Sequence, residues 1–230
     1  MNKYLGYFEG VYYINMDSRT DRKERFEKMA EDFMLPAIRV SALTATDEEA
    51  TPLYVGHNDP RRKFKMGCTM SHQSVVRMAK ENGLKNCLIF EDDCVLLDSY
   101  KQKIQLCVDE LQNIEWDLFY LGGEPNNYCK VISDNLVQME NGGVYTTHAY
   151  AINHTFYDKM LSILPNQVDT IDILYLNYDT NNRKCILSKE LLAIQDRSYS
   201  DLWDTITNST QWMINGWNKY VLNENISNGS

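Results

Sequence analysis

Short apolar runs alternate with stretches of helical spacing through the first half of the chain. Val11-Tyr12-Tyr13-Ile14-Asn15-Met16 is the first run, and its β-branched and aromatic content predicts a strand. Asp17 to Asp21 reads as a turn, with Ser18 or Thr20 capping a helix and Glu24 placed to reach back. Phe26, Met29 and Phe33 fall at i, i+3 and i+7 on one apolar face, and Pro36 ends the helix. Ala37 to Val40 forms a second short strand. Periodicity then vanishes from Ser41 to Arg62, a polar loop of a length that is usually functional or mobile. A helix follows from about Cys68 to Glu81, stopped by Asn82-Gly83. The apolar run Cys87-Leu88-Ile89-Phe90 predicts a buried strand over 86–91. Ile104, Val108 and Leu111 mark another amphipathic helix, and Asp117 to Leu121 a further strand closed by Gly122-Gly123.

Beyond Pro125 the pattern changes to short strands, at about 128–139 and, after Asn141-Gly142-Gly143, at 143–152. Helical spacing returns at Phe156 to Leu164 and at 169–177. Lys184 to Leu187 and Leu191 to Ile194 are short and apolar. Strand–helix alternation in the first half predicts an α/β fold with a mainly parallel sheet. The second half reads as α+β with no repeat and no low-complexity linker. Three of the four tryptophans, Trp203, Trp212 and Trp217, fall in the last thirty residues. We expect them to make core or oligomer contacts, a sugar platform being the other use of such rings. Residues 1–201 are expected to form one catalytic domain and 202–230 a Trp-containing extension.

The 230 residues suffice for a large core without staples. A net charge of -9 argues against a nucleic-acid surface. Six cysteines include no Cys-x-x-Cys pair and no His at zinc spacing, so reduced thiols in a cytosol-like compartment are expected. The opening residues lack a signal-peptide stretch, and no run is long and apolar enough to span a membrane. A cytoplasmic location is therefore expected.

The densest chemistry is Glu91-Asp92-Asp93, directly behind the predicted strand. Ligands bind at the carboxyl ends of strands in open α/β sheets. Three adjacent anions repel unless neutralised, and a divalent cation carrying phosphates does this well. Acids after a strand can also cap a helix or face water. Here Cys94-Val95-Leu96-Leu97 follows at once, so the acids are wedged between two apolar segments. Near the first strand, Asn15, Asp17, Arg19 and Arg22 flank a predicted helix N-terminus, where free N–H groups and arginines favour a phosphate. The competing use is surface pairing of Arg22 and Arg25 with Asp21 and Glu24. Gly67-Cys68-Thr69-Met70-Ser71-His72 opens the second predicted helix and puts Ser71 and His72 in its first turn. His72 either donates to a ligand or is a satisfied core histidine.

In order along the chain, Tyr13 to Arg25, Gly67 to His72 and Leu88 to Asp93 resemble glycosyltransferase family 25, the lipopolysaccharide and procollagen galactosyltransferase group. Weaker matches at Trp116 to Gly122, Ala149 to Ile152, Val168-Asp169 and Tyr199-Ser200-Asp201 extend the resemblance over about residues 11 to 201. Lys65-Met66 stands where the family usually has a Glu before Gly-Cys, and Met16 where it usually has Leu. The chain is similar to a single-domain microbial or viral member, which would place it in a host cytoplasm or virion if viral.

The resemblance implies a Rossmann-like nucleotide-sugar transferase of the GT-A type that uses manganese or magnesium and a UDP-sugar. It assigns Asp93 to the metal, with Glu91 or Asp92 completing coordination or touching the ribose, and Asn15, Asp17, Arg19, Arg22, Ser71 and His72 to the donor. Inversion by direct displacement is implied, needing a general base. Asp169 is the first candidate, with Asp172 behind it, and Asp169 as a simple helix cap is the competing use. His148 is a further metal or phosphate contact or a buried hydrogen-bonded ring. Gln195 and Asp196 stand where such folds place a late ligand. The expected partners are UDP-galactose or UDP-glucose and a glycan or collagen-like acceptor, with a homo-oligomer open. A metal-dependent phosphoesterase or nucleotide hydrolase, and a non-catalytic sugar- or nucleotide-binding relative, are the alternatives.

Overall fold

The computed structural model describes residues 6–50, 59–165, 170–177, 183–196, 199–200, 205–206 and 209–222. In chain order these form β1 (Gly10–Asn15), α1 (Thr20–Asp32), β2 (Ile38–Ser41), α2 (Arg62–Glu81), β3 (Asn86–Glu91), β4 (Cys94–Leu96), α3 (Asp98–Leu111) and β5 (Leu118–Tyr120). There follow β6 (Glu124–Pro125), β7 (Cys129–Val131), β8 (Leu136–Met139), β9 (Val144–Tyr145), β10 (Ala149–Asn153), α4 (His154–Leu161) and α5 (Ile171–Asn177). The last elements are β11 (Cys185–Ser188), β12 (Ala193–Gln195), β13 (Tyr199–Ser200), β14 (Thr205–Ile206) and α6 (Ser209–Tyr220).

Eight strands make one mixed sheet in the order β2-β1-β3-β10-β5-β11-β8-β7, in which all but β10 and β8 run the same way. The fold is α/β and Rossmann-like, as expected. β3 reads as a continuous apolar run because both faces of the sheet are covered. Leu88 and Phe90 point to one face, among Tyr13, Phe26 and Phe119. Cys87 and Ile89 point to the other, among Val75, Val76, Ala79 and Tyr150. This two-sided burial fixes the register of β3 and so the place where its acidic end emerges.

Several boundaries differ from expectation. No side chain caps α1; Arg19 takes the N-cap position instead of Ser18 or Thr20. α2 begins at Arg62, so Ser71 and His72 lie mid-helix and not in a first turn. Gly67, a poor helix former, obscures that start. Asp59 anchors it, accepting from Arg61 N and pairing with the buried Lys65 at 2.7 Å. The expected strand over 128–139 is a hairpin, turned by Glu110 accepting from Asn135 N and Asn135 Nδ2. The stretch 143–152 is two strands, broken at Thr146, whose φ of 69° turns the chain. α6 packs against β6 and β12. Trp217 is buried there, its Nε1 donating to Lys189 O at 3.2 Å. Trp203 lies outside the described residues. Among the described residues no helix is long and apolar enough to cross a membrane, and the six cysteines are free.

Candidate active site

Glu91 is the last residue of β3, and Asp92 and Asp93 make the turn into β4. Beyond them opens a cleft of about 1120 Å³. Its walls come from the end of β1, the loop 42–47, α2, the β9–β10 turn, the start of α5, Gln195 and Trp212. The wall at 42–47 is held by the Gly-Cys-x-x-Ser-His segment. A Cβ on Gly67 would stand 2.7 Å from Leu43 O, so only glycine lets that loop approach α2. Ser71 Oγ accepts from Leu43 N at 2.8 Å and donates to Gly67 O at 2.7 Å.

The three acids, equivalent in sequence, have three different surroundings. Asp92 is occupied: Oδ2 accepts from Asn15 Nδ2 at 2.7 Å and Oδ1 from Arg22 Nη1 at 2.8 Å. Burial pushes its pKa up, with Arg22 and Asn15 pulling the other way. Asn15 also donates to Arg19 O at 3.1 Å and accepts from Arg39 Nε at 2.9 Å. Asn15, Arg22 and Asp92 therefore lock the β1–α1 turn onto the end of β3.

Glu91 accepts from Thr147 Oγ1 at 2.7 Å and lies 3.3 Å from His72 Nε2. The other ring nitrogen of His72 is 3.0 Å from Tyr150 Oη, itself 3.0 Å from Tyr175 Oη. Burial alone would raise the Glu91 pKa; His72 and Thr147 outweigh it, and the net direction is down. His72 is thus a buried ring that orients Glu91 while still lining the cleft.

Asp93 is the incompletely satisfied member. Its Oδ2 accepts from Gln195 Nε2 at 3.1 Å and lies 3.3 Å from Arg22 Nη1. Its Oδ1 is buried with no hydrogen-bond partner. Burial first, then the nearby Glu91 charge, push its pKa up to about 7. An unsatisfied buried acceptor is costly, and hard divalent cations take such oxygens. The donor chemistry therefore fits a metal at Asp93, with Glu91 beside it. Among the described residues no three His, Cys, Asp or Glu side chains converge into a metal cage.

His148 was expected as a further metal or phosphate contact or as a buried hydrogen-bonded ring. Its ring is fully buried and outside the cleft lining. Nδ1 lies 3.1 Å from Thr146 Oγ1, and desolvation pushes its pKa down to about 4. It is a neutral ring packed beneath the β9–β10 turn.

Two expected donor contacts, Asp17 and Arg19, are not among the residues that line the cleft. Asp17 is exposed, and bonds from Ser41 and Arg39 hold its pKa down. Arg19 grips Asp21 through Nε at 3.0 Å and Nη2 at 2.9 Å, which lowers the Asp21 pKa. Arg22 faces inward, not toward surface acids, and Arg25 pairs with Asp196 at 2.6 Å. Asp172 lines the cleft, but its Oδ2 accepts from Thr146 N at 3.1 Å and its Oδ1 from Ile173 N at 2.9 Å. It braces the left-handed Thr146 against α5. Asp169 lies outside the described residues. The cleft also contains Thr147, Tyr145 and Glu124, which sequence reasoning did not bring to the site, and Trp212, expected in a core or oligomer contact ahead of a sugar platform; the Gly122-Gly123 pair was the one signal near them.

Residues 8–175 match the model of glycosyltransferase family 25 (LPS biosynthesis protein). The chain is similar to procollagen galactosyltransferase 1-A of Xenopus laevis, at 25% identity over 89% of this chain and 40% of that protein. It is also similar to the inactive glycosyltransferase 25 family member 3 of Homo sapiens, at 27% identity over 69% of this chain and 29% of that one. It thus spans less than half the length of either relative. A solved glycosyltransferase involved in the glycosylation of the major capsid of PBCV-1 aligns with a TM-score of 0.38 at 8% identity, covering 66% of this chain and 62% of that chain. That likeness is too remote to bear on function. The ordered motifs and the family match agree: this chain belongs to glycosyltransferase family 25.

Proposed function

We propose that the chain is a metal-dependent, inverting transferase that moves a hexose, galactose or glucose, from a UDP-sugar to a hydroxyl of a glycan or hydroxylysine-type acceptor. The observation that carries this is the buried, unpartnered Oδ1 of Asp93 in a cleft large enough for a nucleotide sugar. Manganese or magnesium bound there would offset the charge that builds on the departing UDP. The chain's own residues prepare the place. Gln195 fixes the second oxygen of Asp93, His72 and Thr147 fix Glu91, and Arg22 with Asn15 hold Asp92 out of competition. Gly67 and Ser71 keep the 42–47 wall against the site. The name of the Xenopus relative supports galactose as the sugar.

The test is thermal stabilisation by UDP-galactose and UDP-glucose, with and without manganese, because a ligand that binds only the folded state raises its stability. Stabilisation by one donor that EDTA abolishes is expected. Equal stabilisation in EDTA, or none with either donor, refutes the proposal. The human relative named inactive favours a second reading, a sugar-nucleotide binder without turnover. It predicts donor stabilisation with no UDP released.

A further inference from the structure

One carboxylate in the cleft has no side-chain partner among the described residues. Glu124 lines the cleft, and it has no hydrogen-bond or ion-pair partner among the described residues. The other cleft acids are engaged: Glu91, Asp92, Asp93 and Asp172 as described, and Asp47 with Lys63 at 3.2 Å. Burial raises the Glu124 pKa, with no cation among the described residues offsetting it.

The backbone goes to some length to place this side chain. A Cβ on Gly122 would stand 1.9 Å from Ala193 O, and one on Gly123 would stand 2.3 Å from Val144 Cγ1 at a φ of 149°. Only a glycine pair carries the chain from β5 between β12 and β9. Glu124 then pairs directly with Tyr145 across β6 and β9, which puts their side chains side by side. From the other side, α6 packs on β6 through Gly216, whose absent Cβ would lie 3.2 Å from Glu124 Cγ. One helical turn earlier, on the same face of α6, Trp212 lines the cleft while 65% exposed. A large aromatic left in solvent at a cleft wall is informative, because it lacks the burial that normally retains it.

We infer that Glu124, Tyr145 and Trp212 form the acceptor subsite, in which a sugar ring lies against the aromatic faces and Glu124 takes the proton of the attacking hydroxyl. This rests on the transferase reading above. The acceptor O–H bond breaks with its proton passing to the Glu124 carboxylate. The oxygen's electron pair forms the bond to the anomeric carbon as the bond from that carbon to the diphosphate breaks, its pair leaving on UDP. Aromatic faces beside one carboxylate suit the C–H face and hydroxyl edge of a pyranose. Asp172 is already committed to Thr146 and α5, which leaves Glu124 as the available base among the described cleft acids.

The test compares wild type, E124Q and W212A as full chains with manganese. The donors are UDP-galactose and UDP-glucose; the acceptor probes are p-nitrophenyl β-galactoside, p-nitrophenyl β-glucoside and a hydroxylysine peptide. Melting curves with donor should be alike for all three proteins, which shows folding and donor binding intact. E124Q should lose about 10²–10⁴-fold in kcat for glycoside transfer. W212A should raise the glycoside KM about tenfold with kcat nearly kept. Transfer by E124Q within about threefold of wild type overturns the inference, as does an unchanged KM in W212A. So does a wild type that binds donor yet uses only the hydroxylysine peptide or no probe at all. If wild type binds neither donor, the transferase reading itself fails and the subsite falls with it.

Discussion

Replacing Asp93 by Asn should make the metal-free protein more stable while removing its response to manganese. In the folded chain, burial and the Glu91 charge raise the Asp93 pKa from 3.8 to about 7. Between those values the native state holds a proton that the unfolded chain has released, so stability falls as pH rises through that window. At about 1.4 kcal/mol per pH unit, the full rise corresponds to roughly 4 kcal/mol above pH 7 as a ceiling. Water entering the open cleft screens part of this, and we expect about 2 kcal/mol in practice. Asn keeps the carbonyl that accepts from Gln195 Nε2 and carries no charge to desolvate.

The assay is urea denaturation of both proteins in EDTA from pH 4 to pH 8. Asp93→Asn should be the more stable at pH 8, with the gap closing as pH falls below 7 and vanishing near pH 4. Manganese should then raise the melting temperature of wild type at pH 8 and leave the variant unmoved. A variant less stable than wild type at pH 8 would mean that Asp93 is an integral ion-pair member of the fold. That outcome would refute the argument that its free oxygen awaits a cation.

Three further substitutions probe the frame around the site. Arg22→Met leaves Asp92 buried without its cation, and a loss of about 3–5 kcal/mol is expected in urea titrations. Gly67→Ala drives a Cβ against Leu43 O; a cost of about 1–3 kcal/mol is expected, with limited proteolysis of the 42–47 loop accelerated. His72→Phe keeps a ring but removes the bonds to Glu91 and Tyr150, for about 1–3 kcal/mol. Because His72 helps to lower the Glu91 pKa, wild type holds stability above the ordinary glutamate value that it loses as pH falls through the lowered one. His72→Phe should show a smaller acid loss of this kind, and an unchanged acid limb would refute the pairing.

Much of this could be read from local pattern. β3 and its acidic end were legible because two-sided burial writes a continuous apolar run, and the turn to Cys94 shut the acids in. The start of α2 was hidden because Gly67 serves packing against Leu43 and not helix formation. What separates Asp92 from Asp93 came from the family resemblance and not from local spacing. The partners of Asp92, Asn15 and Arg22, come from far earlier in the chain, while Gln195, which fixes Asp93, comes from far later. Local spacing carries no record of such meetings.

The same physics explains why the recognisable motifs and the chemical groups are not the same residues. Asn15, Arg22, Gly67, Ser71 and His72 make the family pattern, and each is spent on another protein group. Their work is to fix Glu91, Asp92 and the 42–47 wall around Asp93, and an unsatisfied oxygen persists only where its surroundings over-determine it. Glu124 escaped notice, and Trp212 was expected in a core or oligomer contact ahead of a sugar platform, for the complementary reason. They sit on a two-residue strand and a late helix, with free ends facing the cleft, so no periodic signal marks them. In this cleft the groups with partners are the scaffold, and the groups without partners are where ligand chemistry is to be sought.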